Sequence, residues 1–211
     1  MAIIENPIPR KDRKNLGYVE FYTDKFGHHI LRTKPFYRTP AQKAYCLGFK
    51  RLSNVLSQVT DPINEAYAGS VKEVSPFNHN MAINTKSCLV GKNYAIDPSL
   101  LVLCDNDGSF VANVVLTSTV ANTITVTFDS DAQNADEDKD PVKAYGFNVK
   151  GKKIWQFDQA ATRSTGTITL TRPKMSGLNI AIYLECLDRV NLLNGNPKHV
   201  IKYVGTVLTE K

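Results

Sequence analysis

From Ala95 onward, apolar and polar residues alternate with a period of two. That period puts successive side chains on opposite faces of a strand, so it restricts this half of the chain to β-structure. In Thr123-Ile124-Thr125-Val126-Thr127-Phe128 the threonines take one face and the apolar residues the other; Thr167-Ile168-Thr169-Leu170-Thr171 repeats the pattern. β-Branched side chains suit a half-buried pleated surface. The same reading predicts strands at Leu100–Cys104, Phe110–Thr117, Val142–Val149, Lys152–Phe157, Asn179–Leu187 and His199–Leu208. Asp107-Gly108, Gly151 and Asn194-Gly195 fall at hairpin tips. Strands at this spacing predict an antiparallel β-sandwich of immunoglobulin or fibronectin type, or a barrel. Residues 95–211 are expected to fold as a domain without the rest.

The segment before it has helical periodicity. In Thr39–Val59, Tyr45, Phe49, Leu52, Leu56 and Val59 recur at steps of three and four, with Ala41, Gly48 and Val55 beside them. They form one apolar stripe. Thr39 suits the N-cap and Pro40 the first helical position. Lys43, Lys50, Asn54 and Ser57 fall opposite, and Leu47 points with them, away from the stripe. Asp61-Pro62 predicts a second helix to about Ala68, and Ser75-Pro76 a third to about Leu89, with Gly91 as its stop. Phe77, Met81, Asn84 and Cys88 share a face of the third helix. Asn84 there requires hydrogen bonds into nearby backbone.

Residues 1–16 hold Pro7, Pro9 and the cluster Arg10, Lys11, Arg13, Lys14, and predict an extended arm. Tyr18–Thr23 and His28–Lys34 flank the turn Asp24-Lys25-Phe26-Gly27 and predict a hairpin. The expected architecture is therefore α+β and β-dominated. A basic arm and hairpin (1–38) and a helical segment (39–94) precede the β-sandwich domain (95–211).

Charge follows this division. Residues 1–59 carry 11 Lys/Arg against 4 Asp/Glu, and residues 60–211 carry 15 against 16. The whole basic excess thus lies on the arm and first helix. Such asymmetry suits an acidic partner surface or nucleic acid, and equally a solvated arm.

Other features exclude common classes. The N-terminus has no apolar core of signal-peptide length, so a cytoplasmic or virion location is expected. Ser109–Phe128 lacks charge but alternates in polarity, which reads as strand and not as a membrane span. Cys46, Cys88, Cys104 and Cys186 lie far apart and read as buried free thiols. His28 and His29 would face opposite sides of a strand and could not share one metal ion. Asp129–Asp140 is rich in carboxylates, but an EF-hand loop needs Gly and Glu where Asn134 and Asp140 stand. A solvated hairpin loop is expected there. No phosphate-cradling Gly loop, H-E-x-x-H or G-x-S-x-G occurs. The four His leave a catalytic triad neither built nor excluded. The expectation is a protein without enzymatic activity, cofactor or bound metal.

A set of residues in order carries a resemblance. It comprises Gly17-x-Val19, Gly27 with Arg32, and Thr39-Pro40-x-Gln42 followed by Phe49. Phe77-Asn78, Asn84, Gly91 and Ile96-Asp97 before Leu101-Val102-Leu103 complete it. With these the chain resembles an uncharacterised family of small proteins, widespread in Bacteroidota and known only as a domain of unknown function. Arg10–Lys14 stand where that family usually has a Gly-rich segment. The resemblance implies an architecture and no activity.

Two functional expectations follow. The first is a structural or assembly protein, forming a homo-oligomer or a larger assembly, in a setting such as a bacteriophage virion or phage-like particle. Its interface would use Arg10, Lys11, Arg13, Lys14, Tyr18, Tyr22, Arg32, Lys43, Leu47 and Lys50. The second is nucleic-acid binding by the same basic third, with Tyr18, Tyr22 and Tyr37 stacking on bases.

Overall fold

Backbone pairing closes the expected N-terminal hairpin. In the computed structural model, which describes residues 2–3, 19–23, 26–27, 29–33, 38–68, 73–132 and 135–210, strand β2 (Val19–Thr23) pairs antiparallel with β3 (His29–Thr33). Gly27 in the turn has φ +85°, a conformation that costs a residue without Cβ nothing. The outer side of β3 is taken by a short strand, β1 (Ala2–Ile3), giving the order β1-β3-β2. Most of the expected basic arm lies outside the described residues. These strands belong to one compact unit, residues 1–42; residues 43–211 form a second.

Helix α1 (Pro40–Leu56) starts with a reciprocal capping box. The Gln42 N–H donates to Thr39 Oγ1 (3.2 Å), and the Thr39 N–H donates to Gln42 Oε1 (2.9 Å). A single 3-10 turn, Ser57–Val59, joins it to α2 (Thr60–Ala66). Asp61-Pro62 was expected to cap α2, but both lie inside its first turn. The chain passes almost directly from helix to helix, so Val59 precedes α2 and no side chain caps it. Pro62 is tolerated because first-turn N–H groups lack intrahelical partners anyway. Helix α3 (Pro76–Ser87) follows its sequence signals more closely. Ser75 Oγ accepts from the Asn78 N–H, and Pro76 opens the helix. Gly91, at φ +68°, then turns the chain between β4 (Leu89–Val90) and β5 (Ala95–Ile96).

Leu100–Cys104 is not the strand expected from its apolar run. A 3-10 turn spans Pro98–Leu100, and the next residues join no ladder. Side-chain amides of α3 take their backbone groups instead. Asn80 Nδ2 donates to the carbonyls of Val102 (3.1 Å) and Leu103 (2.9 Å).

The other expected strands form two antiparallel sheets. One is β11 (Thr167–Thr171), β7 (Thr123–Asp129) and β6 (Ala112–Thr117), paired in that order. The larger has the order β10 (Ala161–Thr162), β8 (Pro141–Asn148), β12 (Asn179–Leu193) and β13 (Asn196–Leu208); β9 (Lys153–Gln156) also pairs with β8. Between the sheets, Ile124, Val126 and Phe128 of β7 and Ile168 and Leu170 of β11 pack with Ile180, Ile182 and Leu184 of β12. On the other face of β12, Ala181 and Tyr183 join Tyr145, Phe147 and the helical residues Leu52, Leu56, Ile63 and Met81.

The 43–211 unit is thus layered as helices, five-stranded sheet and three-stranded sheet. Its class is α+β, β-dominated, with a sandwich body. Buried on both faces, β12 reads as a continuous apolar run from Ile180 to Leu184 rather than an alternating one. Helices and sheet share one hydrophobic cluster across the boundary expected between residues 94 and 95.

Candidate functional site

The sequence-predicted interface residues fall in three groups. Arg10, Lys11, Arg13, Lys14 and Tyr18 lie outside the described residues. Tyr22 is on β2, in register with Ile30, and Arg32 is on β3, in register with Glu20. Lys43, Leu47 and Lys50 are exposed on α1. Leu47 is 53% exposed, as its place off the stripe predicts.

Only the C-terminal part of that stripe is buried. Leu52, Val55, Leu56 and Val59 are in the core, whereas Tyr45 and Phe49 stay 39% and 44% exposed. The cause is Gly48. A Cβ there would stand 2.5 Å from Tyr94 Cβ and 2.8 Å from the Tyr94 carbonyl oxygen. The helix therefore meets the body through a glycine at this level. Tyr45 sets its ring edge-on to Tyr94 at 5.2 Å. The first three turns of α1 thus expose Tyr45 and Phe49 on the stripe and Leu47, with Lys43 and Lys50, on the opposite face. Ordinary helical periodicity hides this, because it assigns Tyr45 and Phe49 to the core.

The acidic loop is anchored, and is not the simply solvated hairpin expected. Glu137, in the 3-10 turn Glu137–Lys139, is fully buried and lies 3.6 Å from the buried guanidinium of Arg163. Arg163 donates to Ser109 Oγ (2.6 Å) and to the Leu187 carbonyl (2.6 Å). Asp140 accepts both arms of a bidentate bond from Arg189, at 2.7 and 2.6 Å. Nothing in the local pattern marks two of these carboxylates as inward-facing, because their partners come from distant strands.

A third cluster escaped sequence reasoning. Glu185 of β12 is buried at the helix-facing side of the sheet. One of its oxygens accepts from the Tyr145 hydroxyl; the other lies 2.5 Å from His199 Nδ1 and 3.6 Å from Lys143 Nζ. Lys143 also reaches Glu65 of α2 at 3.6 Å, and His199 Nε2 lies 3.9 Å from the same carboxylate. Burial alone would raise the Glu185 pKa, but the bonds from His199 and Tyr145 and the Lys143 charge outweigh it and hold the carboxyl below its usual range. Burial, with the Glu185 charge beside it, pushes the Tyr145 hydroxyl up, so it stays a donor. The group borders a cleft of about 360 Å³ walled by Ala66, Pro141, Leu187 and Pro197. Chemically it fixes the ring of His199 and ties α2 to three strands. The neighbouring Cys104 thiol donates to the His199 carbonyl, and burial pushes its pKa up to about 12, which makes it a poor nucleophile.

No family model matches the chain, and no curated protein matches it. Among the described residues no helix is long and apolar enough to cross a membrane.

Proposed function

We propose that this chain is a structural or assembly protein that binds neighbouring subunits through the outer face of α1 and the N-terminal unit. A bacteriophage virion or phage-like particle is one setting for such a protein. The observation that carries the reading is the 53% exposure of Leu47 on the face of α1 that holds Lys43 and Lys50, with Tyr45 and Phe49 also exposed on the other side of the same turns, whereas Leu52, Val55 and Leu56 further along the helix are buried. Isolated exposed apolar residues are ordinary, but here both sides of the same helical turns leave large apolar side chains uncovered, Leu47 beside two lysines.

The long edge strand β13 is a poorer candidate. Pro197 lies near its start, and Lys198 and Lys202 lie along it. Proline and lysine discourage strand addition at an open edge.

Light scattering across a concentration series tests the proposal. The full chain should associate, and Leu47→Glu should shift it toward monomer. A full chain that stays monomeric at the highest concentration removes the self-assembly reading. Binding of a labelled oligonucleotide that collapses with added salt would favour the nucleic-acid reading instead.

A further inference from the structure

The assembly reading leaves open what covers the α1 face. The composition of that face limits the choice. Helix α1 contains Lys43, Lys50 and Arg51 and no Asp or Glu. A two-fold contact of this face on itself would set lysines against lysines around Leu47. An isologous contact is therefore disfavoured, and the covering surface needs apolar residues with an acidic rim.

Such a surface exists on the same unit. At the β12–β13 hairpin, Val190 and Leu192 are 54% and 53% exposed. They are alternate residues of one strand, in the stretch where the pairing register shifts between Asp188 and Leu193. Asp188 holds this stretch in place by accepting from the N–H groups of Val190 and Asn191, both at 2.9 Å. Arg189, between Asp188 and Val190, joins the hairpin to the acidic loop. Its N–H donates to Glu137 Oε1 (2.8 Å), and its guanidinium clasps Asp140. Apolar tip and acidic loop are thus built as one surface. Asp131 and Asp136 are exposed on the loop and Asp138 is half-buried. Lys139, 3.9 Å from Asp136, offsets part of this charge but not its sign.

We propose that the α1 face of one copy that carries Leu47 beside Lys43 and Lys50 docks on the Val190–Leu192 tip and acidic loop of a second copy. The proposal rests on the assembly reading. Two different surfaces meet, so the contact is heterologous. Repeated, it generates a ring if the rotation closes and a filament if it does not. Salt weakens it, because the rims are exposed charges.

Charge reversal of each face separately tests the pairing. K43E/K50E spoils only the basic face, and D136K/D138K only the acidic one. Each variant alone should be monomeric where the wild type associates, with its dissociation constant raised at least about ten-fold, which is ~1.4 kcal/mol. An equimolar mixture of the two should associate again, because each supplies the face the other lacks. V190S/L192S, which leaves the loop untouched, should weaken association like the acidic-face variant; it decides the matter if D136K/D138K loses its melting transition. If the wild type associates but the mixture stays monomeric, or the variants associate like wild type, the pairing is wrong and the assembly reading survives. A wild type monomeric throughout removes both.

Discussion

Asn84 exchanges two hydrogen bonds with the backbone of Val102: its Nδ2 donates to the carbonyl at 2.7 Å, and its Oδ1 accepts from the N–H at 2.8 Å. A side-chain amide on α3 thus stands in for a neighbouring strand. It satisfies a segment that is apolar enough to be one but has no ladder. Asn80 continues the arrangement at Leu103, and Asn84 Nδ2 also bonds Asn80 Oδ1.

Asn84→Leu should therefore destabilise the protein although it adds apolar surface. The substitution strands the Val102 N–H, at a cost of about 1–3 kcal/mol when left unmade, while the Val102 carbonyl keeps its bond from Asn80 Nδ2. Chemical denaturation should show a fall of about 1–3 kcal/mol from a lower midpoint at unchanged slope. An unchanged midpoint would mean that water replaces the amide.

Much of the fold was legible in the sequence. Thr39-Pro40-x-Gln42 announces its capping box, and Asn84 on an apolar face announces a need for partners. The alternating threonines of β7 and β11 announce a sheet with one buried face. The candidate surfaces were less legible, because they depend on contacts between distant residues. Gly48 reads as a small member of an apolar stripe until Tyr94 is set against it. Glu137 reads as one carboxylate among six until Arg163 is brought beneath it. Glu185 and His199 meet only through the pairing of β12 with β13.

Arg163→Met should cost about 3–5 kcal/mol, since it leaves Glu137 buried without its cation. The double substitution with Glu137→Gln should recover part of that loss by removing the stranded charge. Thermal or urea unfolding of the three variants measures the coupling. A double substitution whose loss equals the sum of the two single losses would show that Glu137 and Arg163 act independently.

Glu185 makes acid stability sensitive to one group. Its folded pKa is held below the value of an unfolded glutamate, about 4.3. Its contribution is therefore fully present above the unfolded value and is lost as pH falls through the folded one. Glu185→Gln should lower stability at neutral pH and flatten the decline of stability below about pH 4.3. Equal losses at pH 7 and pH 3 would assign the acid sensitivity to other carboxylates.

Gly48→Ala tests where α1 meets the body. Helix propensity alone favours alanine by roughly 1 kcal/mol. Here the new methyl would stand 2.5 Å from Tyr94 Cβ and 2.8 Å from a backbone carbonyl oxygen. Backbone cannot swing aside as a flexible side chain can, so overpacking of about 1–3 kcal/mol should win. A higher melting temperature for this variant would mean that the start of α1 is free to lift from Tyr94.

The last prediction concerns the part of the chain that can fold alone. The alternating pattern makes residues 95–211 look self-sufficient, because a two-sheet sandwich buries one face of each sheet. The larger sheet has a second apolar face, carrying Tyr145, Phe147, Ala181, Tyr183 and Ile201, and Leu52, Leu56, Ile63 and Met81 cover it. Fully burying a large apolar side chain stabilises by about 1.5–3 kcal/mol, so losing several contacts of this kind exceeds the net stability of an ordinary domain, ~5–15 kcal/mol. The Tyr183 hydroxyl would also lose part of its enclosure at the Pro98 carbonyl, to which it donates at 2.6 Å. A fragment of residues 43–211 should accordingly melt cooperatively. A fragment of residues 95–211 should aggregate or show no transition. Cooperative melting of the shorter fragment near the temperature of the longer one would show that the helices are an accessory layer and that the two-sheet core suffices.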